Sequence, residues 1–282
     1  MPEGPEVRVT SEYMDQKFGR CKLKNIEILS GRYLLKKGDE KKSSKIIDNL
    51  QEFKKELPLK IEKFNCKGKF LYWEIERDWY IFVTLGLKGR ISIGNNMDHN
   101  RVRFSTSCGN FYLRDSISNG TINIYHGREK LDKKLKSLGI DLLRTEMKDK
   151  EVIEIIREKF KRKKKKGELI ADLLLDQKYL AGVGNYIRAD GLYCAKISPF
   201  KKFIVLTDDE LKRLIGCIRK IMKKSLDIQL KKIKKDFVYE KVAPSYKPLV
   251  YFRNVTDNDE KVVCKKMKFQ NRTIWYVPEV QK

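Results

Sequence analysis

Hydrophobic and polar positions alternate in two registers along this chain, and the register changes once. After the opening residues, Val7, Val9 and Tyr13 among polar neighbours predict a short amphipathic helix that ends near Gly19. Residues 21 to 126 then read as β-rich. From Lys69 to Gly86, Leu71, Trp73 and Ile75 alternate with Phe70, Tyr72 and Glu74; a turn at Arg77-Asp78 follows, and Ile81, Val83 and Leu85 alternate again. That is the pattern of two antiparallel strands. Further strands are predicted over Arg101 to Ser107 and Asn110 to Arg114, joined at Gly109, and over Thr121 to Tyr125. Short strands at even spacing, with hairpin-like links, point to a β-sandwich.

From about residue 146 the period becomes helical. Glu151 to Phe160 is amphipathic, and Glu168 to Leu175 is apolar on one face. Thr207-Asp208-Asp209-Glu210 has the composition of a helix start, ahead of Leu211, Leu214, Ile215, Ile218 and Met222. The join between the halves is expected over Lys130 to Asp149. After Asp236, a stretch punctuated by Pro244 and Pro248 leads to two short β-like runs, Leu249 to Arg253 and Arg272 to Val277, which predict a terminal hairpin. The fold class is therefore α+β, with an antiparallel N-terminal β-sandwich domain behind a leading helix and a helical C-terminal domain.

Composition narrows the partner. Among 282 residues, 63 Lys and Arg stand against 38 Asp and Glu, a net charge of +25, while 41% of residues are hydrophobic. So much apolar content excludes a disordered chain, and so much positive charge makes nucleic acid the leading partner class. A solubility device or a Lys-rich codon bias gives the same charge. The six cysteines, Cys21, Cys66, Cys108, Cys194, Cys217 and Cys264, form no Cys-x-x-Cys or Cys/His cluster and read as reduced, mostly buried thiols. Neither a leader-like opening nor an apolar run of about 18 residues is present, so a soluble intracellular protein is expected.

Two segments carry candidate chemistry. The chain opens Met1-Pro2-Glu3-Gly4-Pro5-Glu6, and removal of Met1 leaves Pro2 with a free secondary amine. An α-amino group titrates at about 7.7 to 8.0 against about 10.4 for Lys, so near pH 7.5 roughly a third is the neutral, nucleophilic form. A secondary amine joined to a sugar C1′ gives a cationic iminium, an electron sink that acidifies the C2′ proton and permits strand cleavage by elimination. Glu3 and Glu6 supply carboxylates for acid and base work beside it. The same spacing also fits a plain helix cap. The second segment is Ala181-Gly182-Val183-Gly184-Asn185-Tyr186-Ile187, set between two helical stretches. Its glycines allow close approach of backbone, and the Asn185 side chain with the amides of the next helix suits an anion such as DNA phosphate. A tight helix-helix turn accounts for it equally well. No strand is expected before it, so it is not a dinucleotide fingerprint.

The opening MPEGPEV, the strand GKFLYW followed by TLGLKG, the stretch LLLDQKYLAGVGNYIRAD and the terminal RTIWYVPEVQ resemble, in order and spacing, the formamidopyrimidine-DNA glycosylase/endonuclease VIII (Fpg/Nei) family. The resemblance covers essentially the whole chain. It implies a catalytic β-sandwich domain over residues 1–130, a linker over 131–148, a helix-two-turn-helix DNA-binding domain over 149–235 and a finger hairpin over 236–282. It also implies excision of oxidised bases from DNA followed by β,δ-elimination, with damaged DNA as partner, no cofactor and a monomeric chain.

By position, the resemblance implies Pro2 as nucleophile, Glu3 as the acid that protonates the deoxyribose ring oxygen and Glu6 as a proton-handling carboxylate. Lys69 and Asn185 match phosphate-holding residues, Arg272 matches the finger arginine that helps expel the nucleotide, and Leu87 matches a wedge that fills the vacated stack. Lys69 also reads as an ordinary strand lysine, and Leu87 as a core leucine.

Three departures stand out. The second Cys-x-x-Cys pair of a zinc finger would fall at Val277 and Val280 and only Cys264 is nearby, so no zinc site forms and a zincless hairpin is implied, as in the Nei-like branch with Arg-Thr-Ile-Trp, here 272–275. The loop that supplies two further void-filling residues in most members aligns with Ile117-Ser118-Asn119. Lys dominates the basic residues, which suits an AT-rich genome such as that of a giant virus. The zincless resemblance favours oxidised pyrimidines, formamidopyrimidines and hydantoins over intact 8-oxoguanine, and leaves single-stranded substrates open. Against the enzyme stand a damage-binding protein without catalysis, which the intact Pro2, Glu3 and Glu6 argue against, and a basic RNA-binding factor, which leaves the motifs unexplained. Lys161 to Lys166 is a solvated charge run that also fits a nuclear targeting signal.

Overall fold

The computed structural model describes residues 2–31, 47–93, 98–162, 167–236 and 246–282. These fall into two compact units, one drawn mainly from Glu6–Lys136, the other from Glu3–Pro5, Ser137–Gln229 and the C-terminal residues.

The first unit is led by helix α1 (Gly4–Phe18) and built on strands β1 (Lys22–Ile28), β2 (Leu59–Lys67), β3 (Phe70–Ile75), β4 (Trp79–Thr84), β5 (Gly89–Ser92), β6 (Asn100–Thr106), β7 (Gly109–Asp115) and β8 (Thr121–His126). They hydrogen-bond in the order β5-β7-β6-β1-β2-β3-β4-β8, every pair antiparallel. The ladder is open, with β5 and β8 at its ends, and it makes the sandwich by folding over so that its two halves pack face to face. Trp73 of β3 meets Phe104 of β6 and Phe111 of β7 with ring centroids at 4.8 and 5.3 Å, and Phe64 of β2 meets Phe111 at 6.0 Å. Helix α1 closes one side: Phe18 packs on Phe111 at 4.9 Å, and the Asp15 carboxylate accepts the Phe64 amide at 2.8 Å. Trp73 is wholly buried, and its truncation to Ala would cost about 3–5 kcal/mol.

Strands β3 and β4 pair where the pattern predicts, with Leu71, Trp73 and Ile75 opposite Val83, Ile81 and Trp79, but both faces are largely buried; Arg77 and Asp78 both take positive φ (61° and 59°), the geometry of a tight hairpin turn. A short helix, α2 (Leu50–Glu56), lies inside the stretch read as β-rich, burying Leu50 and Phe53. Helix α3 (Arg128–Ser137) occupies part of the stretch read as a join.

The second unit holds α4 (Asp149–Arg162), α5 (Ile170–Leu175), α6 (Asn185–Cys194) and α7 (Asp208–Asp236), with a two-residue parallel pairing of β9 (Ile140–Asp141) and β10 (Leu180–Ala181). The helix start at 207–210 is a capping box. Glu210 N–H donates to Thr207 Oγ1 at 3.2 Å, and Thr207 N–H donates to Glu210 Oε2 at 2.9 Å. Lys201 and the Thr207 amide on the Glu210 carboxylate hold its pKa below the ordinary value. Arg219 of α7 donates to Asp149 and to the carbonyls of Leu142, Thr145 and Met147, fixing the approach to α4. Of the lysine run, residues 163–166 lie outside the described part of the chain.

Two expectations are corrected. The terminal hairpin pairs β11 (Val263–Lys266) with β12 (Thr273–Tyr276); Leu249 to Arg253 is a turn. Pro248 offers no amide, and those of Leu249, Val250 and Tyr251 all go to the Asp190 carboxylate, leaving none for a ladder. Four cysteines are not reduced thiols: Cys21 is bonded to Cys108 and Cys194 to Cys217, with Cα atoms 6.0 and 5.9 Å apart. Their separations of 87 and 23 residues carry no local signature, and only the fold brings them within reach. Cys66 and Cys264 take no part in a disulfide.

By loop-closure entropy these bonds contribute about 4.5 and 3.5 kcal/mol. Reductant should therefore lower the thermal midpoint by several degrees, and Cys108→Ser should reproduce part of that drop without reductant. Scanning calorimetry with and without dithiothreitol checks this; coincident midpoints would refute it.

Candidate active site and nucleic-acid interface

The two segments singled out in the sequence meet. Helix α6 begins at the Gly184-Asn185 step, and its first amides point at an acceptor from the far end of the chain. The Glu3 carboxylate accepts Tyr186 N–H at 3.0 Å and Ile187 N–H at 3.4 Å, and Gly4 N–H donates to the Gly182 carbonyl at 2.9 Å. A helix N-terminus carries unpaired donors and a positive partial charge, so a carboxylate is its natural cap. This corrects the expectation that those amides await phosphate: Glu3 holds them. Glu3 is 2% exposed.

Glycine is required at 184 by space alone. A Cβ there would lie 2.2 Å from Glu3 Cδ, while its φ of −129° suits any residue. At Gly182 the reason is φ, at +98°. Gln177, two residues after the end of α5 at Leu175, clamps the turn through its amide. Nε2 donates to the Leu175 and Val183 carbonyls at 3.0 and 2.9 Å, and Oε1 accepts Gly182 N–H at 2.9 Å. Directly ahead of the turn lies β10, where no strand was expected; two residues are too few for a dinucleotide fold.

Asn185 is held from two sides. Arg188, wholly buried one turn along α6, donates to Asn185 Oδ1 at 3.3 Å, to the Ala171 carbonyl at 3.3 Å and to the Thr273 carbonyl at 2.9 Å. The Tyr251 hydroxyl lies on the other side of Asn185, near enough for Asn185 to oppose the rise that burial imposes on the phenol pKa. Burial pulls the Arg188 pKa down to about 10, with Asp172 and Glu3 opposing that fall, so it stays cationic at neutral pH. Burial pushes Asp172 above the carboxylate range against the pull of Arg188. Arg272, half-buried beside Thr273, acts electrostatically on both Arg188 and Tyr251. Glu3, Asn185 and Arg272 thus share one unit.

Pro2, Glu6, Lys69 and Leu87 belong to the sheet unit. Pro2 is half-buried ahead of α1, and Glu6 is buried in its first turn. Lys69 lies on the turn between β2 and β3, not within a strand, and is half-buried. Leu87 lies on the turn after β4, half-buried, and its N–H donates to Asn119 Oδ1 at 3.0 Å. Asn119 belongs to the loop that aligns with the void-filling residues. Buried Asp115 shapes that loop by accepting the amides of Ile117, Asn119 and Gly120, leaving Ile117 45% exposed. Pattern reading missed Gln177, Arg188 and Tyr251, because each acts through backbone or through another side chain. The polar Gln177 and Arg188, placed in a strongly apolar stretch, are the one signal that could have flagged them.

Among the described residues no group of three or more His, Cys, Asp or Glu lies close enough to hold a metal ion. No helix is long and apolar enough to cross a membrane.

Comparison with known proteins adds the following. The family description "Formamidopyrimidine-DNA glycosylase N-terminal domain" matches residues 1–122, and "Formamidopyrimidine-DNA glycosylase H2TH domain" matches residues 138–236. Among curated relatives, the formamidopyrimidine-DNA glycosylase of Rickettsia bellii is 27% identical over 296 aligned residues, covering all of both chains. That of Pelotomaculum thermopropionicum is 27% identical over 237 residues, covering 80% of this chain and 78% of its own. Among solved structures, Lactococcus lactis formamidopyrimidine-DNA glycosylase bound to DNA with an abasic site superposes with a TM-score of 0.79 at 20% identity, covering 99% of each chain. The same enzyme with DNA containing an oxidised pyrimidine gives 0.77 at 22% identity, over the full length of both. With both domain descriptions matched in order and the fold shared end to end, the chain belongs to the formamidopyrimidine-DNA glycosylase family in its broad sense, the Fpg/Nei family.

Proposed function

We propose that the protein is a bifunctional DNA glycosylase and abasic-site lyase of base excision repair. The observation that carries the reading is the pinning of Glu3 and Gly4 onto the Gly182–Ile187 turn, which fixes the residue next to Pro2 against the DNA-binding motif. DNA as partner is supported by the +25 charge and by the Lactococcus structures, whose descriptions name abasic-site and damaged DNA. The substrates proposed are oxidised pyrimidines, formamidopyrimidines and hydantoins, in duplex DNA and with single strands left open.

In this reading the Pro2 nitrogen attacks C1′ as Glu3 protonates the ring oxygen, and the C1′–N bond to the damaged base breaks. The amine proton passes to the departing base, the C1′–O4′ bond breaks onto the protonated ring oxygen, and an iminium forms between Pro2 and C1′. Removal of the C2′ proton expels the 3′-phosphate (β-elimination), and a second proton loss expels the 5′-phosphate (δ-elimination); Glu6 handles protons in these steps. Lys69, Asn185 and Arg272 hold phosphates, and Leu87 fills the vacated stack. The hairpin β11–β12 serves as a finger without zinc. Its buried Ile274 and Val277 give it an apolar anchor, and the Gln281 side chain accepts the Val277 amide and donates to the Ile197 carbonyl. We read the chain as catalytic, linker, helical and finger regions over residues 1–130, 131–148, 149–235 and 236–282, acting as a monomer wherever DNA is replicated, in the nucleus if the cell has one.

Borohydride trapping on an oligonucleotide with one thymine glycol tests the lyase. A covalent adduct should form with the native N-terminus and be lost with Pro2→Gly or with an uncleaved N-terminal extension. Tight DNA binding without any adduct would refute the lyase and leave a damage binder.

Gly184→Ala tests the pin. Its Cβ must push the Glu3 carboxylate off α6, so base excision should fall by about 100-fold while cutting of a preformed abasic site changes by no more than about fivefold. Single-turnover rates, with circular dichroism as the fold control, check this; unchanged excision would remove Glu3 from the mechanism.

A further inference from the structure

One feature of the helical unit has no part in the roles above. Phe252 is 72% exposed, more than any other large apolar side chain among the described residues. Its φ is +57°, in the left-handed region that bulky residues rarely occupy. The turn beneath it is tightly held. Asp190, buried in α6, accepts the amides of Leu249, Val250 and Tyr251 at 2.8, 3.0 and 3.2 Å. Arg253 donates to the carbonyls of Pro248 and Leu249. A fixed turn thus keeps an aromatic ring in solvent.

The ring is backed by two others, its centroid lying 4.6 Å from Tyr251 and 4.4 Å from Trp275. Asn185 and Arg272 both act on the Tyr251 hydroxyl, and Trp275 lies on the hairpin that Arg272 leads. The aromatic group is therefore continuous with both residues proposed to hold phosphate. An exposed ring beside phosphate contacts, in a strongly cationic chain, has the chemistry of a nucleobase platform: every base offers a π face, and the backbone contacts hold the strand against it.

We propose that Phe252, supported by Trp275, stacks on an unpaired nucleobase of the strand whose phosphates Asn185 and Arg272 hold, giving the protein a subsite for single-stranded or locally opened DNA. The proposal rests on the DNA-binding reading above. Bases inside a duplex have both faces covered, so the platform acts only where the strand is unpaired.

The test uses the full chain and its Phe252→Gly and Phe252→Tyr variants. Glycine removes the ring and also relieves the positive φ, so the variant folds; tyrosine keeps the stacking face. Affinities are read by fluorescence anisotropy, at one salt concentration, for an undamaged mixed-sequence single strand and for the same strand annealed to its complement. Phe252→Gly should weaken single-strand binding by roughly tenfold and duplex binding by less than about threefold, with Phe252→Tyr near the parent. Unchanged single-strand binding, an equal loss on both probes, or a parent protein that binds only duplex would overturn the subsite and leave the DNA reading standing. A parent that binds neither probe would overturn both.

Discussion

The cap that Glu3 places on helix α6 is the constraint on which the candidate site depends. The first amides of a helix need acceptors, and those of Tyr186 and Ile187 are buried, so water is no substitute. Residue 3 supplies the acceptor from 183 positions away in sequence. The contact stabilises the helix start and immobilises the N-terminal segment at once, and one carboxylate serves both ends. Gly184 leaves the room for it, and the Gly182 carbonyl takes the neighbouring amide.

Around that cap the helical unit sets polar groups in hydrogen bonds, with Arg188 and Asp190 fully buried. Gln177 ties the turn to itself, Arg188 joins α5, α6 and β12, and Asp190 gathers three amides of the 249–251 turn. Burial penalises each charge: it lowers the pKa of Arg188 and raises that of Asp190, against the three amides that favour the Asp190 carboxylate. Asp190 is well supplied with donors, and although the Nε of Arg188 has no acceptor its other two nitrogens bond to three different elements, so the groups favour one geometry where an apolar core would allow several. The rigidity needed to aim Asn185 comes from here and not from the surface ion pairs, which contribute little.

Much of this was legible. The apolar row Leu71, Trp73, Ile75 with its hairpin partners, the switch to a helical period and the Thr207/Glu210 box each express a local rule, and each element formed where its rule applied. The site residues at both ends of the chain stood out because their motifs are contiguous. What escaped is non-local. The amides of 249–251 turned to Asp190, an acceptor 60 positions away, and so left the sheet their side chains favour. Cys21 and Cys108 became neighbours only through strand order, and the sequence-level view of the α6 amides as an open anion site could not foresee an anion arriving from residue 3.

The bond from Arg188 to the Thr273 carbonyl has a further consequence for the hairpin. Residues on a strand alternate between faces, so a slip of β12 by one position against β11 would turn Arg272 to the opposite side. A four-residue pairing is too short to resist such a slip by its own ladder. Because a buried cation in another element reads the carbonyl of one particular residue, a shifted register would leave that cation short of an acceptor inside the core. Arg188 thereby works as a ruler for the β11–β12 hairpin, and the side to which Arg272 turns is set from within helix α6.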